Sequence, residues 1–100
     1  MNKIIRSSII LVFLVLTTNI ITAQSKVFDN LKMESKILKM ERKFAIYLPP
    51  DYETSSRSYP VLYLLHVLGD DQTGWIQYGE VKKIADNSIK NGDATPMIIV

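Results

Sequence analysis

One hundred residues, 47% hydrophobic and 22% charged, with four Gly, four Pro and one Trp, have the composition of a soluble folded protein. No residue type dominates, which excludes collagen-like, low-complexity and intrinsically disordered chains. The formal charge is +2 and cysteine is absent, so disulfide scaffolds, thiolate metal sites, cysteine nucleophiles and lipid-anchored N-terminal cysteines are excluded.

Lys3 and Arg6 open the chain, and no further charge follows until Lys26. Between them lie the apolar run Ile9 to Leu16 and a more polar stretch ending at Ala23. A basic start, a short apolar run and a small residue before Gln24 predict a secretory signal peptide over residues 1–23. An uncleaved anchor is the alternative, since the uncharged stretch from Ser7 to Ser25 could just span a bilayer. Thr17, Thr18, Asn19 and Thr22 dilute its second half and favour the signal peptide. The mature protein is then expected to be secreted or periplasmic, with no integral membrane association. Lys3 and Arg6 carry the whole positive excess, so residues 24–100 hold ten cationic and ten anionic side chains. No basic stripe remains for nucleic acid or anionic membranes.

From Val27 to Leu38, apolar Leu31, Met33 and Ile37 alternate with polar neighbours, as in a strand with one wet face. A second alternating run sets Phe44, Ile46 and Leu48 against Lys43, Ala45 and Tyr47. The two are expected to pair antiparallel across Lys39 to Arg42, a connection without a strong turn residue. Pro49-Pro50-Asp51 ends the second strand, because proline cannot donate to a ladder. The polar stretch Glu53 to Ser58 reads as an exposed loop.

Val61 to Leu65 is apolar without alternation, which suits a central strand covered on both faces. It leads into a loop rich in turn formers, His66 to Trp75. From Glu80 to Asn91, Val81, Ile84, Ala85, Ser88 and Ile89 fall on one helical face. Lys82, Lys83, Asp86, Asn87 and Lys90 fall elsewhere, and Gly92 is the stop. Met97 to Val100 is a second apolar strand. Strand, helix and strand in this order predict a parallel α/β sheet. Two doubly apolar strands need helices above and below, yet the sequence supplies one amphipathic helix. That mismatch, with the apolar last residue Val100, predicts the N-terminal part of a larger α/β domain.

Ligands of open α/β sheets bind beyond the carboxyl ends of the strands, which directs attention to the loop after Leu65. There the sequence resembles the Putative esterase family of α/β-hydrolases, the group of esterase D, feruloyl and acetyl-xylan esterases and mycolyltransferases. The resemblance is carried by Tyr47-Leu48-Pro49-Pro50-Asp51-Tyr52, Tyr59-Pro60-Val61-Leu62-Tyr63-Leu64-Leu65-His66, Leu68-Gly69-Asp70-Asp71 with Trp75, and Pro96-Met97-Ile98-Ile99-Val100. It implies that residues 24–100 are the N-terminal portion of an α/β-hydrolase domain, with antiparallel strands leading into a parallel sheet. It further implies a secreted serine carboxylic-ester hydrolase acting on acylated plant polysaccharide or related esters, with no cofactor and no metal. A non-catalytic carbohydrate-binding domain of the same fold and an acyltransferase to a sugar alcohol are the alternatives.

The family's nucleophile sits on a Gly-x-Ser-x-Gly elbow, and its acid and histidine follow in the chain. No such motif occurs here, so all three catalytic residues are expected beyond Val100. By position in the family's His-Gly-x-Gly motif, the backbone N–H of Leu68 is the expected oxyanion-hole donor, with His66, Val67 and Gly69 supporting the loop. Val67 departs from the pattern, where the family usually has glycine. A β-branched residue at positive φ is an outlier, so either the loop shifts or Val67 takes a β-like conformation.

Other readings of single residues are weaker. His66 is the only histidine, but the family's base follows its nucleophile, so bracing of the loop is the better reading. Asp70 and Asp71 suit a turn or a helix cap better than a cation site. Trp75 is a candidate substrate-binding side chain, with core packing as its alternative. Ser55, Ser56 and Ser58 have no partner base and are not nucleophiles.

Overall fold

Alternation of apolar and polar side chains folds the first segment into two long strands, β1 (Lys26–Ser35) and β2 (Met40–Leu48). The computed structural model describes residues 23–100, and the expected signal peptide falls outside the described residues except for Ala23. The strands pair antiparallel from Lys26↔Leu48 to Ser35↔Met40, with a register shift between Phe28 and Leu31. Their connection is Lys36 to Lys39, earlier than the sequence suggests. Ser35 Oγ accepts the Leu38 N–H at 3.1 Å, and Lys39 takes a φ of +53°. A lysine thus occupies the left-handed conformation that glycine or asparagine usually fills. Ile37, expected in the first strand, is exposed in this turn.

The second half adds β3 (Val61–Leu62), α1 (Gly74–Gln77), α2 (Val81–Lys90) and β4 (Ile98–Ile99). The sheet order is β1-β2-β4-β3. β2 and β4 pair antiparallel through Tyr47↔Ile99, while β3 and β4 run parallel, as the strand–helix–strand pattern predicts. The parallel ladder continues past the assigned strands. Ile98 N–H bonds Pro60 O, Val100 N–H bonds Leu62 O, and Leu64 N–H bonds Val100 O, at 3.0, 2.9 and 2.8 Å. The carboxyl ends of β3 and β4 therefore lie side by side.

β3 is an edge strand among the described residues. Val61 and Tyr63, whose backbone groups point away from β4, are exposed, as are Leu62 and Leu65. The expected cover on both faces is absent among the described residues, where the helices supply one layer. Tyr47, Ala85 and Ile99 form the core, with Val27, Leu64, Val81, Ile89 and Met97 packed around them. No helix among the described residues is long and apolar enough to cross a membrane.

α2 supplies Val81, Ala85, Ser88 and Ile89 to the sheet, but Ile84 and Asp86 exchange their expected places. Ile84 is 58% exposed. Asp86 turns inward, its Oδ1 accepting from the Tyr47 hydroxyl at 2.7 Å and its Oδ2 from Lys82 Nζ at 2.9 Å. The two residues flank the apolar stripe on opposite sides. A small roll of the helix lets the Asp86 carboxylate reach Tyr47 and carries Ile84 into solvent. Ser25 is buried beside this pair, its hydroxyl in a looser contact short of full hydrogen-bond geometry.

These contacts set the ionisation of both groups. Burial pushes the Tyr47 phenol well above the ordinary tyrosine value, and the Asp86 hydrogen bond and charge add to the rise. For Asp86, burial acts to raise the carboxyl, but the nearby Ser25 hydroxyl and the hydrogen bonds from Lys82 and Tyr47 outweigh it and hold it below its ordinary value. A depressed folded-state value stabilises the fold above the unfolded pKa of about 3.9 and is lost as pH falls through the folded value. The raised Tyr47 value has the opposite sense: its contribution is complete below about pH 10 and is lost above it. Denaturant-unfolding stability is therefore expected to drop in acid below about pH 4, and Asp86→Asn to flatten that limb. An unchanged acid limb in Asp86→Asn removes Asp86 from this account.

Candidate functional site

The loop leaving β3 is anchored at its start and closes into a turn at its far end. At its start, Trp75 Nε1–H donates to the Leu65 carbonyl at 2.8 Å. At its far end, the Asp70 N–H donates to the Val67 carbonyl at 3.1 Å, closing a four-residue turn. Gly69, third in that turn, has a φ of +84°, and Leu68 before it does not have positive φ. These are the marks of a type II turn, whose third position requires the conformational freedom of glycine. A Cβ at Gly69 would meet nothing within 4 Å, so the backbone angle and not space demands glycine there.

The turn answers the question raised by Val67. Positive φ among the described residues occurs at Lys39, Gly69, Glu80 and Gly92, and not at Val67. The valine occupies the first turn position without the strain that a β-branched residue suffers at positive φ. Leu68 stands at the corner, fully exposed. No acceptor for its N–H occurs among the described residues, so the donor is free for a ligand.

His66 braces the same loop. Its Nδ1 lies 2.8 Å from the Val67 carbonyl. A carbonyl can only accept, so Nδ1 carries the proton in this contact. Asp71 Oδ1 accepts from the Thr73 N–H at 2.8 Å and from Thr73 Oγ1 at 2.6 Å at the start of α1. Those two bonds from Thr73, hydroxyl first, hold the Asp71 carboxyl below its ordinary value. Asp70 Oδ1 accepts the Asp71 N–H at 2.8 Å. Both aspartates thus organise the turn into α1. No cluster of three His, Cys, Asp or Glu side chains able to hold a metal occurs among the described residues.

Trp75 is held by its surroundings as well as by its hydrogen bond. A Cβ at Gly79 would lie 2.7 Å from Trp75 Cε3 and 2.8 Å from the Trp75 carbonyl, so glycine lets the chain close over the indole. The residue is 40% exposed. It borders a cleft of about 440 Å³ that is also lined by Lys43, Phe44, Tyr63, His66 and Asp71. The cleft lies beyond the carboxyl ends of the parallel strands, where the architecture places ligands. Ser55, Ser56 and Ser58 lie in the loop past β2, at the other end of the sheet, and Ser55 Oγ accepts the Arg57 N–H at 3.1 Å. Sequence patterns do not reveal the Trp75–Leu65 bond or the place of Lys43, because both join segments distant along the chain.

Comparison with known proteins gives a consistent neighbourhood. Residues 35–100 match the family model described as Putative esterase. Over 59 residues the chain is 39% identical to an endo-1,4-beta-xylanase/feruloyl esterase of Xylanibacter ruminicola, covering 55% of this chain and 8% of that protein. Among solved structures, a ferulic acid esterase superposes with a TM-score of 0.72 at 38% identity, covering 76% of this chain and 29% of that one. A ferulic acid esterase of the anaerobic fungus Anaeromyces mucronatus superposes with a TM-score of 0.63 at 29% identity, covering 82% and 29%. The latter has also been solved with ferulic acid bound. The chain thus spans less than a third of the length of each of these relatives.

Proposed function

Because the chain belongs to the Putative esterase family, we propose that residues 24–100 form the oxyanion-loop part of a serine carboxylic-ester hydrolase of the feruloyl or acetyl esterase type. The observation that carries this reading is the type II turn at the carboxyl end of β3, which leaves the Leu68 N–H without a partner among the described residues. In acyl transfer the carbonyl oxygen of the ester gains charge as the acyl carbon becomes tetrahedral. A fixed backbone N–H aimed at that oxygen stabilises the charge without reorganisation. The nucleophilic serine, its acid and its histidine lie outside these hundred residues, since no Gly-x-Ser-x-Gly sequence occurs among them.

The relatives, whose names describe feruloyl and ferulic acid esterases, support a substrate class for this reading. It is an ester of an aromatic or acetyl group on plant polysaccharide. Phe44 and Tyr63 beside the cleft suit an aromatic acyl group. Export belongs to the same reading, supported by the basic start and the apolar run Ile9 to Leu16.

The full-length protein is expected to hydrolyse methyl ferulate or p-nitrophenyl acetate, with turnover blocked by a serine-directed phosphonate. Residues 24–100 alone are expected to give no hydrolysis above background. An intact reading frame without a Gly-x-Ser-x-Gly elbow, or phosphonate-sensitive turnover by residues 24–100 alone, would sink the proposal.

A further inference from the structure

We propose that Trp75 is a positioning residue for the ester hydrolysis assigned above: its indole N–H, bonded to the Leu65 carbonyl, fixes the point from which the His66–Gly69 loop aims the Leu68 N–H. This role rests on the esterase reading and adds a residue to it. The indole has one polar atom, and that atom is committed to Leu65 at 2.8 Å. Trp75 therefore has no donor left to offer a substrate, although its ring borders the cleft.

The geometry separates two tasks within the loop. The Asp70–Val67 hydrogen bond and the positive φ of Gly69 make the turn itself. Both are internal to residues 67–70, so neither prevents the turn from swinging as a body on the end of β3. The last ladder bond of β3 is at Leu64. Leu65 is exposed, and the Trp75 indole is the only donor to its carbonyl among the described residues. Trp75 can serve as an anchor because α1 carries it and Gly79 closes against its ring. A rigid two-torsion side chain on a helix fixes a backbone point better than a flexible one.

The test uses the full-length protein and Trp75→Phe, which keeps a ring but removes the N–H. On methyl ferulate, kcat is expected to fall about tenfold, less than the loss on deleting an oxyanion donor outright, with KM within about twofold of wild type. Affinity for a tetrahedral phosphonate should fall by the same factor as kcat/KM, while affinity for the product ferulate stays unchanged. A change dominated by KM, or an unaltered kcat, overturns the positioning role. Hydrogen exchange gives a second arm. The Trp75 indole N–H, identified by its loss in Trp75→Phe, should exchange slowly, and exchange at the rate of free indole overturns the proposal. Wild-type protein without turnover overturns the esterase reading and this role with it. Turnover with an unchanged Trp75→Phe variant overturns this role alone.

Discussion

Leu68→Pro in the full-length protein is expected to lower kcat/KM for an aryl ester about 100- to 1000-fold, or about 2.7–4 kcal/mol, without lowering the melting temperature. The substitution is unusually clean because of where Leu68 stands. It is second in a type II turn, the position where proline is favoured since its ring presets φ near the required value. Proline restricts the preceding residue to extended conformations, and Val67 has no positive φ to be disturbed. Leu68 N–H makes no bond among the described residues, so its removal is expected to cost no stability. Only the donor disappears. Leu68→Ala is the control, with near wild-type activity, since the side chain is fully exposed and the backbone does the chemistry. Steady-state kinetics and a thermal melt of the two variants decide the matter. An active Leu68→Pro protein places the oxyanion donor elsewhere.

Tyr47→Ala has the largest expected effect on stability, about 3–5 kcal/mol. Tyr47 is 2% exposed and sits where β1, β2, β4 and α2 meet, pairing with Val27 and Ile99 in the sheet. Its ring fills the centre of a small core, and its hydroxyl holds the Asp86 carboxylate. A loss of that size removes a large part of the about 5–15 kcal/mol that holds an ordinary domain folded, so the alanine protein is expected to be largely unfolded by circular dichroism at 37 °C. Tyr47→Phe separates the two parts. It keeps the ring but leaves Asp86 Oδ1 without its donor, a loss of about 1–3 kcal/mol. Equal melting temperatures for Tyr47→Phe and wild type would show that the hydroxyl contributes nothing.

The antiparallel pair and the strand–helix–strand order are legible in the sequence because they follow from local patterns, but burial is not: Tyr47, on the face opposite Phe44, Ile46 and Leu48, is the core residue, and Met33 is exposed. The unbroken run Val61 to Leu65 misleads as to cover, because it forms an exposed edge strand among the described residues, whereas β2 lies inside the sheet between β1 and β4. What escaped has specific causes. The turn after β1 uses Lys39 at φ +53°, and lysine carries no turn signal. Asp86 and Ile84 lie near the edges of the helical stripe, where a modest roll decides which one is buried. α1 has four residues, too few for any period to show. In the site, the loop is readable from Gly69, but its anchorage is not. The Trp75–Leu65 bond joins residues ten positions apart, and only folding brings them together.

The antiparallel contact of Tyr47 with Ile99 also fixes an order of events during synthesis. β1 and β2 are neighbours in the chain and can pair as soon as both have left the ribosome. The other edge of β2 then waits for β4, and every residue from Pro49 to Ile98 must be made first. At about 5–20 residues per second this wait lasts several seconds. For that time a strand edge and one face of Tyr47 are open to neighbouring chains, as non-local pairings commonly leave them. The Pro49-Pro50 pair that ends β2 limits the hazard, because proline cannot extend a ladder to a foreign strand. The same dipeptide that stops β2 in the finished sheet therefore guards the nascent one.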